Sequence, residues 1–261
     1  MRVAVVTGGS SGIGAAVARS LAARGWRCVL LARGREQLER VAKEVGGEAE
    51  PCDVSVRAQV EEVAARVGER HSAVHLLVNN AGLTRRKGFL ELRPEQIEEM
   101  VQTNYLGGVW CLLAFLPLLE AGRPSDIVNV VSLAGTVAHG SSGPYAAAKH
   151  AQLAFSRATT VELAPRGIRV HTVNPGPVET PGFPQRMLLE RPLVRRVVLT
   201  PERVAEAVRG AVEHNRAEVI VPRYLRLAGA VQALAPASLA RLVSRVGGRA
   251  GALRDRERRP L

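Results

Sequence analysis

Thr7-Gly8-Gly9-Ser10-Ser11-Gly12-Ile13-Gly14 stands between two different hydrophobic patterns. Before it comes the apolar run Val3–Val6, too close to Met1 to be a helix. After it, Ile13, Val17 and Leu21 recur at helical spacing until Gly25. A strand, a glycine turn and a helix in that order make a cradle for phosphate. Free backbone N–H groups and the positive end of the helix dipole face an anion there, and side chains on the turn would obstruct it. The strand before and the helix after lift this cluster above a chance tight turn. Gly8, Ser10, Ser11, Gly12, Ile13 and Gly14 are the residues that would line it.

The rest of the chain alternates short β-branched runs with longer helical ones. Cys28–Leu31 reads as a second strand, Ala49–Pro51 as a short third and His75–Asn79 as a fourth. Ile127–Ser132, Arg169–Asn174 and Glu218–Val221 read as the fifth, sixth and seventh. Between them Arg35–Val45, Arg57–Gly68, Pro94–Leu119, Tyr145–Leu163 and Pro201–His214 read as helices. Strands and helices alternating at these lengths make βαβ units with right-handed crossovers. The expected fold is α/β, a Rossmann-type doubly wound sheet of seven parallel strands with helices on both faces. No linker or repeat interrupts residues 1–222, which are expected to form a single domain. Residues 223–261 follow as a basic C-terminal extension, with amphipathic helices expected at Leu225–Leu234 and Leu239–Val246 and a frayed end from Gly247.

Of 261 residues, 46% are hydrophobic but only 3% aromatic, so Val, Leu, Ile and Ala must build the core. That is the palette of a parallel sheet covered on both faces. The formal charge of +12 is nearly all arginine, since lysine occurs only at Lys43, Lys87 and Lys149. Residues 223–261 hold nine arginines against two acids, which leaves the rest of the chain only mildly basic. So general an arginine skew argues against a nucleic-acid surface, and no nucleic-acid partner is expected. Cys28, Cys52 and Cys111 lie far apart in or beside apolar runs and read as buried, reduced thiols of a cytoplasmic protein. Neither they nor the histidines have metal-ligand spacing, so no metal is expected. The first strand leaves no room for a signal peptide, and no apolar stretch reads as long enough to span a bilayer.

The end of the second strand should meet the adenosine ribose of a dinucleotide. A carboxylate there would accept hydrogen bonds from a free 2′-hydroxyl, but the chain reads Leu31-Ala32-Arg33. An arginine can pair with a 2′-phosphate instead, which favours NADP(H) over NAD(H). A solvated surface arginine is the plainer alternative for Arg33.

Tyr145 and Lys149 lie four apart on an expected helix and share one face. A tyrosine with its ordinary pKa of about 10 is a poor acid or base near neutrality. A neighbouring ammonium favours the phenolate and lowers that value, making a proton donor for a carbonyl becoming an alcohol. Tyr-x-x-x-Lys alone is a common accident. Here Ser132 ends the fifth strand, where a hydroxyl can face a ligand crevice, and Asn79-Asn80-Ala81-Gly82 ends the fourth. Asn104 falls inside the longest helix, where asparagine is a mediocre choice.

Together these residues resemble the short-chain dehydrogenase/reductase family over roughly residues 1–222. The resemblance rests on Thr7–Gly14, Asp53-Val54, Asn79–Gly82, Asn104, Ser132, Tyr145 with Lys149, and Pro175-Gly176-Pro177-Val178-Glu179-Thr180. It implies Tyr145 as catalytic acid/base, Ser132 as the group orienting a carbonyl or hydroxyl, and Lys149 on the nicotinamide ribose. It implies that Asn104 holds a relay water and that Asp53 and Val54 contact adenine. Asn80, Ala81 and Gly82 would support the cofactor, and Pro175, Gly176, Val178 and Thr180 would position the nicotinamide. The implied activity is hydride exchange between nicotinamide and a small carbonyl or secondary alcohol, in a homodimer or homotetramer. A catalytically silent NADP-binding scaffold is the rival reading.

Substrate contacts are expected from His139, between Ser132 and Tyr145, and from the covering segment 181–196 with Phe183, Met187 and Leu188. In this family the chain commonly stops soon after the seventh strand. The extension here suggests either a roof over the pocket or peripheral contact with an anionic membrane.

Overall fold

A computed structural model describes residues 1–138, 142–185, 189–190, 197–238 and 241. Its strands are β1 (Val3–Thr7), β2 (Arg27–Ala32), β3 (Glu48–Pro51), β4 (Leu76–Asn79), β5 (Ser125–Val130), β6 (Ile168–Pro175) and β7 (Glu218–Val221). They form one seven-stranded sheet in the order β3-β2-β1-β4-β5-β6-β7, every pair parallel. This is the doubly wound sheet expected from the sequence. The winding reverses between β1 and β4, which opens a crevice at their carboxyl ends.

The helices are α1 (Gly12–Ala22), α2 (Arg35–Glu44), α3 (Arg57–Arg70), α4 (Pro94–Val101), α5 (Gly107–Ala121), α6 (Gly143–Leu163), α7 (Pro201–Glu213) and α8 (Arg226–Leu234). Strand alternation sorts the core into two layers. Ala4 and Val6 of β1 join Val17 and Leu21 of α1, Leu38 of α2 and Val204 of α7. Val3 and Val5 point the other way, to Val63 and Val67 of α3, Phe115 of α5 and Leu163 of α6. All three cysteines are buried and free, and burial pushes the Cys28 and Cys52 thiols up to about 11.

The expected single helix Pro94–Leu119 is corrected. A π-helical turn, Gln102–Leu106, separates α4 from α5. The helical run Pro94–Ala121 has 28 residues and is apolar enough to cross a bilayer by length and composition, which also corrects the sequence reading. Gln102, Thr103 and Asn104 interrupt the apolar pattern, yet the helix continues through them. Buried Met100, Cys111, Phe115 and Leu119 lie along its inner face, as expected of a core helix. Of the extension, α8 forms where the first tail helix was expected. The second, Leu239–Val246, lies outside the described residues except for Arg241.

Candidate active site

A crevice of about 990 Å³ follows the carboxyl edge of the sheet. It runs from Arg33 and Asp53, past the glycine turn, to Ser132, Tyr145 and Lys149. Gly8 and Gly12 have φ of +66° and +53°, the left-handed region that glycine enters freely. A Cβ on Gly14 would stand 2.2 Å from the Gly8 carbonyl oxygen, so the turn closes only without a side chain there. Thr7 ties the turn to β4: its hydroxyl donates to the Val78 carbonyl and accepts from the Asn80 and Ala81 N–H groups. The Asn80 amide donates back to the Thr7 carbonyl at 2.9 Å. Asn80 and Ala81 therefore hold the cradle's shape. An open, glycine-walled cradle at a helix N-terminus, continuous with a long crevice, fits the pyrophosphate of a dinucleotide.

At the end of the crevice bounded by Arg33 and Asp53, the Arg33 side chain is 64% exposed, and its Nη1 lies 3.9 Å from Asp53 Oδ2, too far for a hydrogen bond. The other Asp53 oxygen accepts from the Ser55 N–H and hydroxyl at 3.0 and 2.7 Å. Arg33 is thus a cation at the rim with most of its donors free for an anion. Val54 is buried beside the crevice and packs against Gly107, where a Cβ would stand 2.8 Å from Val54 Cγ2.

Ser132 lies just past β5 and caps a 3-10 turn, Leu133–Gly135, its Oγ accepting from the Ala134 N–H at 3.1 Å. Tyr145 occupies the first turn of α6 and shares a side-chain hydrogen bond with Ser132. Burial pushes the Tyr145 phenol up to about 12, and the bond to Ser132 pulls against that rise. Lys149, one turn on, is 3% exposed. Its Nζ donates to Gln152 Oε1 at 2.7 Å and the Val130 carbonyl at 3.1 Å, and lies 5.9 Å from the Tyr145 ring centroid. Burial pulls this ammonium down to about 7. The expected depression of Tyr145 by Lys149 is therefore reversed in this structure, because desolvation outweighs an ammonium turned towards Gln152 and Val130. Ser156, further along α6, pins the helix to the sheet through Asn129 at 2.8 Å and Thr172 at 2.7 Å.

Asn104 sits in the π turn, 1% exposed. Its amide donates to the Leu83 and Met100 carbonyls, each at 2.9 Å, and its Oδ1 accepts from the Leu83 N–H at 3.0 Å. Both amide hydrogens are spent on protein, so this side chain clamps the segment after β4. Gly82 fits beneath it only as glycine, since a Cβ would stand 2.7 Å from Asn104 Oδ1.

Beyond β6, Pro175, Gly176, Val178 and Thr180 line the crevice, with Thr180 close over Gly12. Phe183 also lines it, its ring centroid 6.0 Å from that of Tyr145. His139, Met187 and Leu188 lie outside the described residues. Sequence reasoning missed Gln152 as the partner of Lys149, although i,i+3 spacing on one helix could have found it. It also missed Arg86, which lines the crevice with φ +51° and carried no signal in the sequence.

The family model for short chain dehydrogenases matches residues 2–187. An uncharacterized oxidoreductase of Staphylococcus haemolyticus is 34% identical over 210 residues, 79% of this chain and 89% of its own. The 3-oxoacyl-(acyl-carrier-protein) reductase of Escherichia coli is 33% identical over 181 residues, 69% of this chain and 74% of its own. Among solved structures, an alcohol dehydrogenase of the archaeon Thermococcus sibiricus, complexed with 5-hydroxy-NADP, superposes with a TM-score of 0.75 at 33% identity. That match covers 84% of this chain and 95% of the other. Fold, crevice and comparisons agree: the chain is an oxidoreductase of the short-chain dehydrogenase family.

Proposed function

We propose that this chain exchanges a hydride between NADP(H) and a carbonyl or secondary-alcohol substrate, with Tyr145 as acid/base. The observation that carries this reading is the hydrogen bond between Ser132 and Tyr145 inside the crevice, with Lys149 one turn away. When bound, the nicotinamide supplies or accepts the hydride, and the protein supplies orientation and the proton. Ser132 holds the substrate oxygen. Tyr145, kept protonated by burial, gives its phenolic proton to that oxygen as carbonyl becomes alcohol. Lys149, whose ammonium titrates near neutrality, returns a proton to the phenolate and holds the ribose hydroxyls. The Asn104 side chain positions Leu83. Leu133, Val137 and Phe183 line the substrate end, which suits a substrate with an apolar body. The chain assembles as a homo-oligomer through α5 and α6, where Leu113 and Val161 stand 54% and 76% exposed.

Arg33, with no carboxylate in hydrogen-bond contact, supports NADP(H) over NAD(H). Titration of the chain with NADPH and NADH tests this. NADPH should bind more tightly, and Arg33→Ala should weaken it about 10- to 100-fold while leaving NADH nearly unchanged, from the ~1.5–3 kcal/mol of a charge-assisted hydrogen bond. Tighter binding of NADH by the unmodified chain would overturn the assignment. Failure to turn over any carbonyl or alcohol in a broad panel would leave the silent scaffold.

A further inference from the structure

Large apolar side chains are left exposed on two edges of the catalytic crevice. One edge is α8. It turns small residues inward: Ala228 and Gly229 are half-buried, and a Cβ on Gly229 would stand 3.1 Å from Thr136 Oγ1. Just before α8, Leu225 covers Gly176, with its Cδ1 2.6 Å from where a Cβ would stand. The large residues of α8 face away. Leu227, Val231 and Leu234 are 72%, 48% and 87% exposed, at i, i+4 and i+7 on one stripe. A helix docked to bury its own apolar face would be turned the other way.

The second edge is the 3-10 turn Phe89–Glu91. Phe89 and Leu90 are 52% and 103% exposed. Phe89 Cε2 lies 2.7 Å from where a Cβ on Gly143 would stand, two residues before Tyr145. Basic residues accompany both edges. Arg85, Arg86 and Lys87 precede Phe89, offset on that edge by exposed Glu91 and Glu95, while Arg223 and Arg226 lead into α8 with no acid following them before Asp255. Arg85 is bound to Glu99, but the others are exposed. No Asp or Glu occurs from residue 219 to residue 254.

The charge selects the occupant. A second copy of the chain would bring this arginine-rich face against its like, whereas an anionic surface is complementary. We propose that α8 and the Phe89–Leu90 turn seat the protein on an anionic phospholipid surface. Leu227, Val231 and Leu234 enter the interfacial layer, and Arg223 and Arg226 meet headgroup phosphates. The crevice then opens beside the bilayer, where a substrate with an apolar body partitions.

Flotation of the full chain tests this, using vesicles of phosphatidylcholine alone and of phosphatidylcholine mixed with phosphatidylglycerol. The chain should float with the mixed vesicles, less with the neutral ones, and less at high salt. The triple variant Leu227→Ser, Val231→Ser, Leu234→Ser should partition at least about tenfold more weakly. These residues are exposed and outside the catalytic machinery, so reduction of a water-soluble ketone should proceed at the unmodified rate. Arg223→Glu with Arg226→Glu should weaken binding to the mixed vesicles alone. The proposal fails if the unmodified chain stays unbound with mixed vesicles, or if the triple variant floats equally well. It also fails if the triple variant converts a dimer to a monomer in sedimentation velocity, which would make a second copy the occupant. Loss of ketone reduction in the unmodified chain would count against the proposed reaction and leave the docking surface standing.

Discussion

Tyr145 and Lys149 lie one turn apart on α6, and burial moves their proton affinities in opposite directions. Four residues on a helix place two side chains on one face, and that much was legible. The protonation states were not, because they depend on desolvation that only the folded environment reveals. Burial holds Tyr145 as the phenol, up to about 12, and brings Lys149 down to about 7. The sign follows directly: Lys149 is charged below about 7 and neutral above it. The pH dependence of kcat/KM reports the free enzyme. For carbonyl reduction it should fall as pH rises through about 7, with Lys149→Met removing that step. A profile flat across neutrality would mean that the Lys149 charge is not required. The glycine turn was legible in full, since the need for Gly8, Gly12 and Gly14 is a backbone matter that sequence states outright. Arg86 was not, since a left-handed arginine in a loop leaves no pattern.

The π turn between α4 and α5 is the element that sequence reasoning passed over. Hydrophobic periodicity reads a continuous helix there because a π turn shifts the pattern too little to be seen in one sequence. The poor helix propensity of asparagine at Asn104 was the only trace. The turn carries Asn104 to Leu83, so one side chain joins the long helix to the segment that follows β4. Asn104→Ala removes all three hydrogen bonds at a buried position. At ~1 kcal/mol each, urea unfolding should show a loss of about 2–3 kcal/mol. A loss below about 0.5 kcal/mol would show that the clamp carries no stability. By contrast, most strands were legible to within a residue at each end, because each carries an apolar or β-branched run bounded by turns. The fifth was placed two residues late: polar Ser125 and Asp126 begin it, and Val131 and Ser132 leave the sheet to enter the crevice.

For the molecule as a whole, strand and helix alternation dictated the sheet, and the winding reversal between β1 and β4 dictated where the crevice opens. Residues spread from Gly8 to Thr180 meet along it because each follows the carboxyl end of a strand or begins the helix after one. This long-range convergence was legible through the resemblance to a family. Local patterns alone would have left Ser132, Tyr145 and Asn104 as three separate suggestions. The extension was least legible: sequence marked an amphipathic helix at α8, but only packing shows which side faces the protein. The proposed reaction passes its proton through one atom, the phenolic oxygen of Tyr145. The most direct test is single-turnover reduction of a ketone by the Tyr145→Phe variant, alongside its NADPH affinity. The rate should fall by about 10²–10⁴-fold with affinity nearly unchanged, since the variant removes only the proton donor. Turnover within a fewfold of the unmodified chain would show that the proton comes from elsewhere.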